Sequence, residues 1–172
     1  DFIATITNTF GTDGEALIAN LPTLIDEASQ RWNLTNIQPV ENLSYNFVAF
    51  ARRDEVGSPR DTIRNVVLKI GVPRDELTSE MSTLRLFNGK GACQLLDSDE
   101  TKGFLLLERL HPGTMLSTLQ DDDAATRIGA DVMQKLWRPV GTQHAVPLHQ
   151  DFIRLTDWFT GLQTLRQRYN GG

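Results

Sequence analysis

The chain has 172 residues, of which 40% are hydrophobic and 23% are charged, and its mean hydropathy is −0.29. These values are typical of a globular domain and exclude a disordered chain, a collagen-like repeat and an integral membrane protein. The net charge of −5 argues against non-specific nucleic-acid binding, which requires a surplus of Lys and Arg.

Cysteine usage and the length of apolar runs indicate in which cellular compartment the protein functions. The single Cys93 excludes an internal disulfide, and one Cys with three His gives no cysteine-based zinc framework. No apolar run approaches the roughly 20 residues that span a bilayer, and no export signal is visible. We therefore expect a cytoplasmic protein with no membrane partner. Because the chain starts at Asp1 rather than Met, we also expect it to be a piece of a longer protein.

The first part of the chain changes from helical to strand-like spacing. Apolar residues at three- and four-residue intervals predict helices, and period-two runs of β-branched and aromatic residues predict strands. In chain order, these patterns predict helices over residues 14–20 and 22–32 and strands over residues 34–38, 44–52 and 62–70. A charged loop over residues 53–61 would join the last two strands as a hairpin.

The second part of the chain continues with one helix, two strands and then helices alone. The same patterns predict a helix over residues 74–87, strands over residues 92–96 and 103–107, and helices over residues 124–137 and 152–169. Asp123 and Asp151 are expected to cap the last two helices. Trp32, Trp137 and Trp158 fall on apolar helix faces, which favours core packing. About five mostly antiparallel strands, with one helix inserted after the third, make an α+β fold.

Lys69 and Glu80 are the most informative pair of residues. Lys69 lies in an apolar strand, on the face opposite to Leu68, and Glu80 follows eleven residues later on the next helix. An ammonium group on a strand and a carboxylate on the helix packed against it can pair, and the paired Lys can hold phosphate oxygens. On spacing alone, a solvated lysine on an edge strand and an ordinary exposed Glu are the simpler interpretation.

The strand over residues 103–107 runs into a short linker that ends at the break over residues 111–113. An extended linker leaves backbone N–H and C=O groups unpaired, and the edge of an adenine ring can satisfy them. The alternative is a strand followed by a turn, with Glu108 and Arg109 paired in solvent. We predict no metal site, because three adjacent acids over residues 121–123 do not easily converge on one ion and the His residues lack zinc spacing.

Several segments, taken together and in order, resemble the aminoglycoside/hydroxyurea antibiotic resistance kinases, the family that includes streptomycin 6-kinase. The resemblance is carried by Glu80 with Leu84 and Arg85, and by residues 44–49 (SYNFVA), 67–73 (VLKIGVP), 105–113 (LLLERLHPG), 133–139 (MQKLWRP), 155–158 (LTDW) and 165–169 (LRQRY). These segments span nearly the whole chain, which makes the resemblance more specific than any one of them.

The resemblance implies a protein-kinase-like N-lobe over residues 1–110, followed over residues 111–172 by a hinge and the first helices of a C-lobe. It implies that Lys69 contacts the phosphates of ATP and that Glu80 holds Lys69 in place. It further implies that the turn with Ser44 and Asn46 covers the phosphates, and that the Glu108 carbonyl and the Leu110 amide bind adenine.

The activity implied is Mg²⁺-dependent transfer of the γ-phosphate of ATP to a hydroxyl of an aminoglycoside such as streptomycin, or of hydroxyurea. Family members take their catalytic groups from an H-G-D…N loop and an I-D-P segment. The H-x-D string at residues 149–151 has Thr156 where the Asn is required, so we expect no catalytic residue in this chain. An apolar helix over residues 152–169 without its cover predicts self-association. The alternative is a non-catalytic module that binds nucleotide or a partner.

Overall fold

The computed structural model describes residues 1–54, 63–137 and 152–160, which form helices around one antiparallel sheet. The elements are α1 (Phe2–Phe10), α2 (Thr12–Trp32), β1 (Leu34–Pro39), β2 (Phe47–Asp54), β3 (Ile63–Ile70), α3 (Asp75–Phe87), β4 (Leu95–Asp99), β5 (Phe104–Glu108), a 3₁₀ turn (Leu116–Thr118), α4 (Asp122–Leu136) and α5 (Leu155–Phe159). The predicted α+β fold, with a helix inserted after the third strand, is confirmed. None of the described helices is both long enough and apolar enough to cross a membrane.

The sheet has the strand order β1-β2-β3-β5-β4, so β3 lies at its centre. Alternate residues of β3 point to opposite faces. Val66, Leu68 and Ile70 are fully buried on one face, where they pack with side chains of α1 and α2. We call this the core face. The opposite face carries Val67 and Lys69 and is called the lysine face. Helix α3 covers part of it through a smaller apolar cluster, formed by Leu77, Met81, Leu84, Leu105 and Leu107.

The N-terminal helices differ from the prediction in two ways. Helix α1 was not predicted, and its first turn is capped by the Asp1 carboxylate, which accepts a hydrogen bond of 3.1 Å from the Ile3 amide. Helix α2 is continuous through Pro22, so the predicted break between two short helices is wrong. Proline removes one backbone donor, but Leu17 and Trp32, on either side of it, are both buried in the core. Packing of the whole helix on the core face therefore outweighs the local signal.

Strand β4 is shifted by three residues from its predicted position. Asp97, Ser98 and Asp99, which lie beyond the predicted strand, form the end of β4. Two bonds to α2 explain the shift. The Trp32 indole donates to Asp97 at 2.9 Å, and Arg31 pairs with Asp99 at 2.7 Å. Because β4 is an edge strand, these acids are held beside α2 without being buried.

The C-terminal elements also differ in their boundaries. Helix α4 is capped by Asp121, which accepts from the Ala124 amide at 3.0 Å, rather than by Asp123. Helix α5 begins at Leu155, so Phe152 is not helical, and the predicted cap Asp151 and the end of that helix lie outside the described residues.

The prediction of core packing holds for one tryptophan of the three. Trp32 is 2% exposed, whereas Trp137 is 75% and Trp158 is 58% exposed. The two exposed rings lie at the end of α4 and within α5, where no described residue covers them. The spacing of apolar residues predicts which side of a helix is apolar, but it does not report whether another element packs on that side, and neither α4 nor α5 has a buried residue.

Candidate functional site

An ion pair joins the sheet to helix α3 on the lysine face. The Lys69 ammonium donates to both carboxylate oxygens of Glu80, at 2.7 Å to Oε1 and 2.6 Å to Oε2. The Lys69 side chain is 16% exposed and that of Glu80 is 37% exposed, so the pair is reachable from solvent but partly desolvated. Glu80 lies at the edge of the buried stripe of α3, one turn from Leu77 and Leu84. The simpler interpretation, two unpaired exposed side chains, is therefore wrong.

The register of the strands places the ion pair in an ordered row. Val48 of β2 and Leu105 of β5 lie on either side of Lys69. The next row on the same face lies two residues further along each strand and consists of Phe50, Val67 and Leu107. Helix α3 packs on the β5 end of these rows, and neither apolar cluster of the described residues includes Val48 or Phe50. The β2 end of the lysine face is therefore an apolar strip beside a cation.

Asn46 flanks the row that contains Lys69, on the side away from Phe50 and Val67. A Cβ atom built on Gly71 would collide with Oδ1 of Asn46, so the Asn46 side chain rests directly on the Gly71 backbone, two residues after Lys69. The Gly71 amide donates to the Gly103 carbonyl at 3.0 Å. A Cβ on Gly103 would in turn collide with the Gly71 carbonyl oxygen. Gly71 thus leaves room for the Asn46 side chain, and Gly103 leaves room for the Gly71 carbonyl. By continuation of the strand register, Asn46 and Gly71 form the row next to Val48 and Lys69.

The linker begins where β5 ends. The Glu108 amide donates to the Gln94 carbonyl at 3.0 Å, and the Gln94 amide donates to Glu108 Oε1 at 2.7 Å. Glu108 is therefore bonded to the segment before β4, and the alternative of a Glu108–Arg109 pair in solvent is wrong. Leu110 lies beyond the strand and is 58% exposed. Ser44 is also exposed, and within the described part of the chain its side chain makes no hydrogen bond.

Arg109 is a site residue that sequence reasoning missed. Its guanidinium carbon lies 3.9 Å from the centroid of the Phe50 ring, in a close cation–π stack. The period-two pattern of β2 places Phe50 on the same face as Val48. It does not reveal the register between β2 and β3 or the path of the linker, and both are needed to bring Arg109 to the ring.

Cys93 lies in the loop before β4, at the rim of the same site. It is half-buried and packs against the apolar cluster under α3. Burial raises the pKa of its thiol, and the negative charges of Glu108 and Glu80 raise it further. Cys93 is therefore a partly buried side chain that precedes the strand. Among residues 1–54, 63–137 and 152–160, no three His, Cys, Asp or Glu side chains gather as metal ligands.

The fold and the ion pair together define a class of protein. In protein-kinase-like phosphotransferases, a lysine on the third strand bonds to a glutamate on the helix that follows, and both must be in place for activity. The sheet, the inserted helix α3 and the Lys69–Glu80 bond reproduce this arrangement. The five-stranded sheet with helix α3 therefore has the architecture of a kinase-like N-lobe.

The chain belongs to the aminoglycoside/hydroxyurea antibiotic resistance kinase family, whose sequence model matches residues 52–170. It is 35% identical over 133 residues to a streptomycin 6-kinase of Streptomyces glaucescens, a match that covers 77% of this chain and 41% of the relative. It is 34% identical over 137 residues to the streptomycin 6-kinase of Streptomyces griseus, covering 80% of this chain and 40% of the relative.

A third relative carries a different name. The chain is 31% identical over 119 residues to the hydroxyurea phosphotransferase of Kitasatospora aureofaciens, covering 69% of this chain and 33% of the relative. The chain thus spans about two fifths or less of the length of these relatives.

Proposed function

We propose that this domain binds ATP on the lysine face, and that the whole cytoplasmic protein transfers the γ-phosphate to a hydroxyl of a small antibiotic or of hydroxyurea. The observation that carries the proposal is the bidentate Lys69–Glu80 bond beside an apolar strip. A lysine held in this way presents a fixed positive charge to phosphate oxygens. The names of the relatives support streptomycin and hydroxyurea as acceptors.

Each site residue has a role in this proposal. Lys69 contacts the α- and β-phosphates, and Glu80 fixes its direction. The turn with Ser44 and Asn46 lies over the phosphates. Adenine is received by the linker through the Glu108 carbonyl and the Leu110 amide. These roles follow the order of the rows along the strands, from Asn46 at one end of the lysine face to the linker at the other.

The transfer itself needs groups beyond these residues. The acceptor oxygen forms a bond to the γ-phosphorus while the bond from that phosphorus to the β,γ-bridging oxygen breaks, and the hydroxyl proton passes to a base. Mg²⁺ would neutralise the phosphates, but the described residues do not gather a ligand set for it. The H-G-D…N loop that the resemblance implies for these groups does not occur in this sequence, so we assign the base and the metal ligands to the part of the relatives' length that this chain does not span. The 172-residue chain alone is expected to bind nucleotide without transferring phosphate to streptomycin or hydroxyurea.

Nucleotide binding is tested by a thermal shift with Mg-ATP on matched variants. We expect Mg-ATP to raise the melting temperature of the wild-type chain and Lys69→Ala to abolish the increase. Lys102→Ala is the control, because Lys102 is another partly exposed lysine that pairs with a glutamate, Glu27, but lies away from the site. An equal increase in the wild type and in Lys69→Ala contradicts the proposal.

Self-association is a second proposal, supported by the exposed apolar side chains from Leu110 of the linker onward. Those with more than half of their surface exposed are Leu110, Met115, Met133, Trp137, Leu155, Trp158 and Phe159. Apolar surface concentrated in this way favours association. We expect light scattering to give a mass above that of one chain, and Trp137→Glu to reduce it. A monomer at all concentrations contradicts this proposal and leaves the nucleotide site unaffected.

A further inference from the structure

The proposed function assigns no role to the stack of Arg109 on Phe50. The guanidinium carbon lies 3.9 Å from the ring centroid, and both side chains are half-buried. The linker residue Arg109 is therefore fixed over the lysine face rather than extended into solvent. A planar guanidinium stacked on a ring keeps its N–H donors at its edge, where a ligand can reach them.

The charge of Arg109 is not neutralised by any carboxylate in the part of the chain that the structure describes. Within residues 1–54, 63–137 and 152–160, no carboxylate forms an ion pair with Arg109. The nearest acid in sequence, Glu108, is turned away and accepts from the Gln94 amide. A half-buried cation with free donors loses hydration without gaining a partner, and this cost is offset when an acceptor binds.

The position of the stack relative to Lys69 indicates which acceptor this is. Phe50 lies opposite Val67, one row from Lys69 and on the linker side of it. From the rise along a strand and the spacing between strands, the backbones of Lys69 and Phe50 are about 8 Å apart. When the phosphates of a nucleotide lie at Lys69 and its base lies at the linker, its nucleoside part lies over the row that contains Phe50.

We propose that Phe50 and Arg109 form a recognition element for the nucleoside part of the bound nucleotide. The Phe50 ring supplies apolar surface, and the Arg109 guanidinium donates to acceptor oxygens or nitrogens of the ribose and base. The inference rests on the proposed function, since it requires phosphates at Lys69. It makes Arg109 a specificity-determining residue that discriminates a nucleoside triphosphate from inorganic triphosphate.

Calorimetry with two ligands, Mg-ATP and Mg-tripolyphosphate, tests the inference. We expect Arg109→Gln to weaken ATP binding about tenfold, the effect of one hydrogen bond to a charged group, and to leave tripolyphosphate binding unchanged. Arg109→Lys keeps the charge but not the planar stack and is expected to restore little of the affinity. Arg52→Gln is the matched control, because Arg52 lies on the same strand face as Phe50 but is exposed and contacts no aromatic ring of the described residues.

The outcomes separate this inference from the proposed function. If Arg109→Gln weakens both ligands equally, Arg109 acts on the phosphates and the inference is wrong. If ATP binding is lost in Lys69→Ala but unchanged in Arg109→Gln, the inference alone is wrong. If the wild-type chain does not bind ATP, both fail together. Circular dichroism of each variant distinguishes lost recognition from lost folding.

Discussion

The two faces of the central sheet use the same strands for different purposes. On the core face, α1 and α2 cover a continuous apolar cluster that includes Val66, Leu68 and Ile70. On the lysine face, α3 covers only the β5 end, and the rest carries an ion pair and a cation stacked on a ring. One strand, β3, supplies the centre of both faces through alternate residues.

This division has a physical reason. A ligand site needs open surface and charged groups that are only partly hydrated, and both reduce stability. Complete burial on the other face compensates for this. The comparison therefore predicts that equivalent substitutions on the two faces of one sheet have unequal effects on folding and on binding.

The largest expected effect comes from truncating the core face. Leu68→Ala removes a fully buried side chain and should lower the free energy of unfolding by about 2–5 kcal/mol. Phe50→Ala, on the lysine face, removes a larger but half-buried side chain and should cost roughly 1 kcal/mol. Urea denaturation of both variants measures the difference. An equal or larger loss for Phe50→Ala would break the comparison, because it would mean that the lysine face stabilises the fold at least as much as the core face.

Two glycines at the edge of the site give the next effect. Gly103 has a φ of +69°, and a Cβ there meets the Gly71 carbonyl oxygen, so Gly103→Ala should cost about 2 kcal/mol of stability. Gly71→Ala meets instead the end of the Asn46 side chain, which can move, and should cost about 1 kcal/mol. Because it displaces Asn46, Gly71→Ala should also weaken Mg-ATP binding. Equal stability of both variants in urea would contradict this order.

Replacing the lysine of the ion pair should separate binding from stability. Lys69→Met keeps the volume of the side chain and leaves Glu80, which is 37% exposed, hydrated without its partner, so stability should stay within about 1 kcal/mol of the wild type. Nucleotide binding should be lost in the same variant. Urea denaturation and calorimetry with Mg-ATP measure the two quantities. A large loss of stability would indicate that the pair is needed for the fold itself and would weaken the contrast between the faces.

Much of the fold and part of the site could be predicted from the sequence because the signals are local. The alternation in β3 gave the face of Lys69. The eleven positions from Lys69 to Glu80 made a pair possible, but spacing alone favoured two solvated side chains, and it is the structure that shows the ion pair. The roles in nucleotide binding remain predictions for all six site residues, which are Ser44, Asn46, Lys69, Glu80, Glu108 and Leu110.

What the sequence could not supply depends on contacts between distant segments. Phe50 and Arg109 are 59 positions apart, and they meet only because β2, β3 and β5 align in one register. The position of β4 depends on the bonds that α2 makes to Asp97 and Asp99. The continuity of α2 through Pro22 depends on its packing over the sheet. The periodicity of apolar residues within a local segment gives no information on these contacts.

The smallest expected effect is a change in the reactivity of Cys93. Burial, and then the charge of Glu108, raise the pKa of its thiol, so less thiolate is present in the native chain at a given pH. The iodoacetamide reaction should therefore be slower in the native chain than in urea, and its pH profile should lie at higher pH. Glu108→Gln keeps an acceptor for the Gln94 amide but removes the charge, so it should shift the native profile back toward lower pH. Glu100→Gln, a change at an exposed acid in another turn, is the control. Coincident native and unfolded profiles would mean that Cys93 is not held at the rim of the lysine face, and the extent of the apolar cover under α3 would then be smaller than the comparison of the two faces requires.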